Sequence, residues 1–202
     1  MRANGDPGLR TTVDASLISI FGALIALSSL IPLSVIIGGY GVFNLTWIMQ
    51  TLTGILLGPY LGGGAALIGG LVGSLISPSW FGPIAFVLPV LAVVQAGLIV
   101  WKRWHIAALL LGSLIIVWFL LPAGVTLWPA ALFHVVGLVI IIVLGRKLPN
   151  MIRDVKNPKR LFVGWLLTAY CADVTMHMLG DIFSVVILAF PSEVFLLALP
   201  LT

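Results

Sequence analysis

From Val13 almost to its end, the chain is a succession of apolar runs divided by short polar or basic blocks. A bilayer's hydrocarbon core, about 30 Å thick, takes roughly 20 apolar residues to cross as a helix, and fewer where a helix is short or re-entrant. Seven stretches meet this measure, near 13–35, 44–58, 61–77, 83–101, 105–121, 129–148 and 161–190. Only 8% of the 202 residues are charged, against about 25% in an ordinary soluble domain, so the chain cannot cover a water-exposed surface. The expectation is an all-α, polytopic transmembrane helical bundle, one integral membrane domain over residues 1–202. The first run, Val13 to Ile37, is too long for the core of a secretory signal, and no convincing cleavage site follows it. It reads as a membrane helix.

Lysine and arginine placement sets the orientation. Arg2 and Arg10 precede the first stretch, Lys102 and Arg103 separate the fourth and fifth, and Arg146, Lys147, Arg153, Lys156, Lys159 and Arg160 separate the sixth and seventh. The alternate connections, near 36–43, 77–82 and 121–128, hold neither residue. This alternation predicts a multi-pass cell-membrane protein with a cytoplasmic N-terminus and the end of the seventh helix outside. The net charge of +4 then reflects topology, and no nucleic-acid partner is expected. Glu193 falls on the external side, and Val194–Thr202 is too short to cross again, leaving an interfacial tail or the approach to an eighth segment. Cys171 is the one cysteine, which excludes an intramolecular disulfide and a cysteine-rich metal site.

Small residues recur every four positions as Gly54, Gly58, Gly62, Ala66, Gly70 and Ser74, with a second row at Ala65, Gly69, Gly73 and Ser77. Residues four apart share a helix face, and in lipid such faces let backbones approach closely. The second and third stretches should therefore be buried in tight contact. They are separated by little more than Gly58-Pro59-Tyr60, spacing for a tight hairpin. The first stretch carries the same pattern at Ala15, Ser19 and Ala23, beside Gly22 and Ala26. That face is either internal packing or a docking face for another membrane subunit.

Three runs carry a resemblance: Gly38-Gly39-Tyr40-Gly41-Val42-Phe43-Asn44-Leu45-Thr46-Trp47, Gly54-Ile55-Leu56-Leu57-Gly58-Pro59-Tyr60-Leu61-Gly62, and Ala66-Leu67-Ile68-Gly69-Gly70-Leu71-Val72-Gly73. Over roughly residues 13–101 the chain resembles the substrate-binding S components of energy-coupling factor (ECF) transporters. The resemblance implies a bundle of six core helices, here with a seventh added, that captures a vitamin or a metal ion from outside. It implies as partners a transmembrane T component and two cytoplasmic ATPases. It also implies docking through the first helix, at positions matched here by Ala15, Ser19 and Ala23, with serine replacing the central alanine. No enzymatic activity and no cofactor are expected of the chain itself, and it has no Gly-x-x-x-x-Gly-Lys-[Ser/Thr] loop to cradle nucleotide phosphates.

Capture from outside directs attention to polar and aromatic groups near the external connections. Tyr40, Asn44, Trp47, Gln50, Trp80, Trp128 and His134 are the candidate substrate-binding residues. An amide or imidazole facing lipid is costly and normally faces a partner or cavity, which puts Asn44, Gln50 and His134 first. The tryptophans serve equally well as an interfacial aromatic belt. Flat rings would also stack on a heteroaromatic vitamin, in a mostly apolar pocket with a few placed polar groups. The seventh stretch adds Asp173, His177 and Asp181, spaced by four and so stacked along one face over about 12 Å. They are candidates to bind a proton, a cation or a metal ion, and equally to form a polar seam that locks the helix into the bundle.

Two rivals follow from these residues. An intramembrane aspartyl protease needs its two aspartates on facing helices, whereas Asp173 and Asp181 share one. Serine and zinc hydrolase motifs of the Gly-x-Ser-x-Gly and His-Glu-x-x-His types are absent from the sequence. The stronger rival is a stand-alone proton- or cation-coupled secondary transporter working through Asp173, His177 and Asp181.

Overall fold

In the computed structural model, residues 7–35, 42–77 and 82–189 are described. The first helix, α1, runs over Pro7–Ser28. A two-stranded antiparallel ribbon follows, β1 at Pro32–Val35 and β2 at Val42–Asn44. Next come α2 (Thr46–Ile76), a 3-10 turn at Gly82–Phe86, α3 (Val87–Val100) and α4 (Trp104–Leu120). The chain continues through α5 (Pro122–Thr126), a 3-10 turn at Trp128–Ala130, α6 (Ala131–Leu144), α7 (Leu148–Ile152) and α8 (Pro158–Val186).

The all-α class holds, but the helix count differs from six plus one. Among the described residues there are eight α-helices. Two of the expected stretches share α2, and the five-residue α5 and α7 stand in addition to the expected seven. The first helix begins six residues before its expected start at 13 and stops at Ser28 rather than at 35. Pro32 accounts for the early stop, because proline clashes with a preceding helical turn and holds the residue before it in extended backbone. The freed segment pairs as the small ribbon instead. Among the described residues three helices are, by length and composition, long and apolar enough to cross a membrane, in Thr11–Ser28, Thr46–Ile76 and Pro158–Val186, and shorter apolar helices fill 84–100, 104–120 and 128–144. Large apolar side chains point outward, with Leu75 81%, Leu120 77% and Leu109 71% exposed. Lipid is the solvent that suits such a surface.

Helix α2 is not one rod but two helical arms joined at Gly58. Gly58 has φ +77° and ψ −176°, and Pro59 follows it. A methyl placed on Gly62 would lie 3.2 Å from the Thr53 carbonyl oxygen and 3.6 Å from the Gly54 Cα, whereas eight residues of straight helix separate their ends by about 12 Å. The chain therefore reverses at Gly58 into two arms, 46–57 and 59–76. This is the tight hairpin the Gly58-Pro59-Tyr60 spacing predicts.

Close glycine contacts fix the direction of each neighbour. Gly62 meets Val93 while Gly70 meets Phe86 and Pro89, so α3 runs antiparallel to the second arm. Gly54 meets Val93 and Ala96 while Gly97 meets Gly58 and Pro59, so α3 runs parallel to the first arm. Helix α1 lies parallel to the second arm, with Ile18 beside Gly64, Gly22 against Ala65 and Gly69, and Ala26 and Ser29 beside Gly73. Its far end is tied to the start of α2 by a 3.1 Å hydrogen bond between the Ser28 and Thr46 hydroxyls. A second core gathers α3, α4, α6 and α8 around Leu111, Trp118, Ile141 and Met178. Within it Gly145 packs on Trp104, and Gly137 packs on Val174.

These directions bring the basic residues together. The start of α1, the Gly58 reversal, the α3–α4 turn, the α6–α7 turn and the start of α8 all lie at one end of the bundle, and the Lys and Arg positions from Arg10 to Arg160 lie in these segments. There the Arg103 guanidinium donates to the Tyr60 hydroxyl at 2.6 Å, and Arg160 pairs with Asp154 at 3.1 Å.

Gly58→Ala tests the reversal. Its methyl would collide with the Trp101 ring, and φ +77° is strained for any residue with a side chain. The thermal midpoint in detergent should fall by roughly 3 °C or more. Gly64→Ala, whose methyl meets Ile18 at an ordinary 3.6 Å, should leave the midpoint unchanged.

Candidate functional site

Helix α8 starts at the basic end behind Asn157, whose side-chain oxygen accepts from the Arg160 N–H at 3.1 Å, the ordinary N-cap contact. It runs the length of the bundle, so Asp173 stands near its middle and Asp181 about a turn and a half from its far end. All three polar residues of its stripe are half-buried. Lipid would penalise them, so the stripe turns inward and finds partners on two helices.

The first two partners belong to the α2 arm that descends from the non-basic end. Gln50, 1% exposed, donates from Nε2 to Asp173 Oδ1 at 3.2 Å and to the Met176 sulfur at 3.3 Å. One turn nearer that end, Trp47 and His177 lie with ring centroids 5.1 Å apart, tilted by 55°, within the range of favourable ring contacts. The third partner is on α6, where His134 Nε2 faces Asp181 Oδ2 at 3.9 Å. Two further bonds hold α6 against α8 nearby: the Tyr170 hydroxyl donates to the Phe133 carbonyl at 2.8 Å, and the Cys171 thiol to the Gly137 carbonyl at 3.7 Å. Three of the residues expected to bind substrate, Trp47, Gln50 and His134, therefore meet the three expected to bind an ion or proton.

The chemistry at His134 is constrained by its backbone contact. Nδ1 lies 3.1 Å from the Ala130 carbonyl oxygen, which can only accept, so Nδ1 carries the proton. In the neutral ring Nε2 is then an acceptor. It is buried, has no hydrogen-bond partner, and looks toward a carboxylate. Two acceptor atoms 3.9 Å apart need a donor between them: a proton on either group, or an N–H, O–H or cationic group from a ligand. Among the described residues no three His, Cys, Asp or Glu side chains converge to hold a metal ion. Along α8, Asp173 and His177 turn to α2 while Asp181 turns to α6.

Other expected site residues are placed elsewhere. Asn44 holds the turn into α2. Its side-chain oxygen accepts from the Thr46 N–H at 3.2 Å and its amide reaches the Ser29 carbonyl at 3.4 Å, which turns the chain into α2. Trp128 is 57% exposed in the turn before α6, which suits the interfacial belt. Tyr40 and Trp80 lie outside the described residues. Ala15, Ser19 and Ala23 are exposed on the outer side of α1, while Gly22, Ile25 and Ala26 make its buried side. Sequence reasoning missed Gln95, which is fully buried in α3 and donates to the Ala107 carbonyl of α4 at 3.1 Å, leaving its Oε1 without a partner. It missed Thr168, whose buried hydroxyl also lacks one. The signal for Gln95 was a lone amide within the apolar run 87–100.

A double-mutant cycle on Gln50→Ala and Asp173→Ala tests the α2–α8 link. Polar pairs inside membrane bundles couple by about 0.6 kcal/mol on average, with about 1.7 kcal/mol as the upper range. A coupling in that range is expected from reversible unfolding in mixed micelles; a value near zero would mean that the two side chains do not meet.

Among known proteins, the chain is similar to an uncharacterized protein of Methanocaldococcus jannaschii, 25% identical over 155 residues that cover 76% of this chain and 52% of that relative. The chain thus spans about half the length of the curated relative it matches. No protein-family model matches, and no solved structure matches.

Proposed function

We propose that the chain is the substrate-capturing S component of an ECF-type importer for a vitamin or related small micronutrient. The observation that carries the reading is the split character of α1. Its Gly22–Ile25–Ala26 side is consumed by packing on α2, whereas Ala15, Ser19 and Ala23 form a separate small-residue strip on the exposed side. Ser19 adds no polar demand to that strip, because its hydroxyl is satisfied by the Ala15 carbonyl at 2.9 Å. A strip of small side chains is what a second membrane helix needs for close approach, and it coincides with the positions that the family resemblance assigns to T-component docking.

The rest of the assignment follows the same logic. Counted with the two arms of α2 as separate passes, α1, α2, α3, α4, α6 and α8 give seven crossings in a cell membrane. The basic end faces the cytoplasm by the positive-inside rule, and the N-terminus with it. Trp47, Gln50, His134, His177 and Asp181 then lie toward the external side, where a substrate arrives. His134 and Asp181 present two acceptors to it and the Trp47–His177 pair presents rings. Transport energy comes from two cytoplasmic ATPases acting through the T component; the chain itself captures and hands over, and is not an enzyme.

A second reading keeps the same seam and changes its cargo. The inward-facing row of Asp173, His177 and Asp181 also suits a proton- or cation-coupled secondary transporter working alone. Purified protein in liposomes separates the two. Without ATP or partners an S component gives no flux, while a secondary transporter gives flux driven by an ion gradient.

Ala15→Phe and Ala23→Phe are expected to abolish uptake by cells that express the full importer while leaving substrate retention on the purified chain intact. His134→Ala is expected to lose retention while leaving co-purification with the partner subunits intact. Loss of retention in the α1 variants would remove the docking assignment.

A further inference from the structure

At the basic end a cavity of about 320 Å³ opens between the α3–α4 turn and the α6–α7 turn, lined by Lys102, Trp104, Arg146 and Asn150. Its construction is specific. Lys102 takes a left-handed backbone conformation, φ +62°, uncommon for a residue with a long side chain; this turn brings it beside the first residue of α4. The Arg146 guanidinium sits 6.0 Å from the centre of the Trp104 ring, a cation–π arrangement that steadies a long side chain at a lipid boundary. Asn150 adds an amide to the rim.

Among the described residues neither Lys102 nor Arg146 has a carboxylate within ion-pair distance, and Asp154, in the following turn, is engaged by Arg160. Two uncompensated positive charges, an amide and an indole around a cavity of this size are the chemistry that recognises a phosphodiester. Within about a turn of Arg146 along α6, Ile142 and Val143 are 54% and 63% exposed, and Leu109, five residues beyond Trp104 on α4, is 71% exposed. A ligand with a phosphate at the cavity therefore has exposed apolar side chains of α4 and α6 within reach in the bilayer.

We infer that this cavity is a binding site for the headgroup of an anionic phospholipid in the leaflet at the basic end, with the phosphate between Lys102 and Arg146 and the acyl chains along α4 and α6. A soluble phosphate would meet the same charges but gain nothing from the apolar surface. The inference does not depend on what the protein transports.

The test is native mass spectrometry of the full chain, titrated with phosphatidylglycerol or phosphatidylcholine, with and without millimolar inorganic phosphate. The wild-type chain is expected to retain phosphatidylglycerol preferentially, and phosphate is expected not to displace it. Lys102→Gln with Arg146→Gln should weaken that retention roughly 25-fold, about fivefold for each charge removed near the membrane surface. Lys156→Gln with Lys159→Gln, at the same end but outside the cavity, should leave it unchanged. An equal loss from both double variants would mean diffuse charge attraction and would overturn the site, as would displacement by phosphate or equal retention of the two lipids. Unchanged helicity by circular dichroism distinguishes loss of the site from loss of the fold.

Discussion

In a lipid-solvated bundle apolar burial gives helices no reason to associate, and close backbone packing has to supply it. Here that packing originates at Gly58. Its left-handed φ and the absence of a side chain let the chain reverse beneath the Trp101 ring, laying the two arms of α2 side by side. The glycines on either side of Gly58 are then spaced to receive neighbours on both flanks. Gly54, Gly62 and Gly70 accept α3, while Gly69 and Gly73 accept α1. One repeated four-residue pattern therefore builds half of the bundle, and any side chain at its tightest points would push whole helices apart.

The other half is held differently. Between α8 and its neighbours α2 and α6 the contacts are polar as well as close: Gln50 to Asp173, Trp47 to His177, His134 to Asp181 and Tyr170 to the Phe133 carbonyl. Gln50 and Tyr170 are satisfied by their hydrogen bonds and serve packing as much as chemistry. His134 Nε2 is not: it is buried, committed to acceptor character by the Ala130 carbonyl, and aimed at a carboxylate. Among the described residues the polar seam therefore holds an unfilled requirement near the end of the bundle opposite its basic residues. A substrate-capturing subunit and a proton-coupled carrier would each use such a point, the first for a ligand's donor and the second for a proton.

Charge divides the molecule along its long axis. The basic end gathers the lysines and arginines of the α3–α4, α6–α7 and α7–α8 connections and the start of α8, whereas the opposite end carries the aromatic and polar seam. Among the described residues the same asymmetry leaves Lys102 and Arg146 without carboxylate partners around the cavity at that end. The orientation and the lipid site proposed above would both follow from this one distribution of charge.

The sequence by itself determined the helical class, the membrane solvent, the gathering of cations at one end and the hairpin at Gly58-Pro59. Each is a local or compositional property: apolar length, charge count, or a glycine–proline step within a small-residue repeat. It also marked Gln50, His134 and Asp173 as costly in lipid and hence inward-facing. What it could not settle was which inward-facing residues meet. That depends on helix directions and rotations set by long-range packing, and these joined His134 to Asp181 and Gln50 to Asp173 across 47 and 123 positions of chain. The same packing gave the candidate ligand Asn44 two hydrogen bonds in the turn into α2. It separated the two small-residue rows of α1 into a packed face and a free one, because a helical period shows that faces exist and only a neighbour decides which of them is covered.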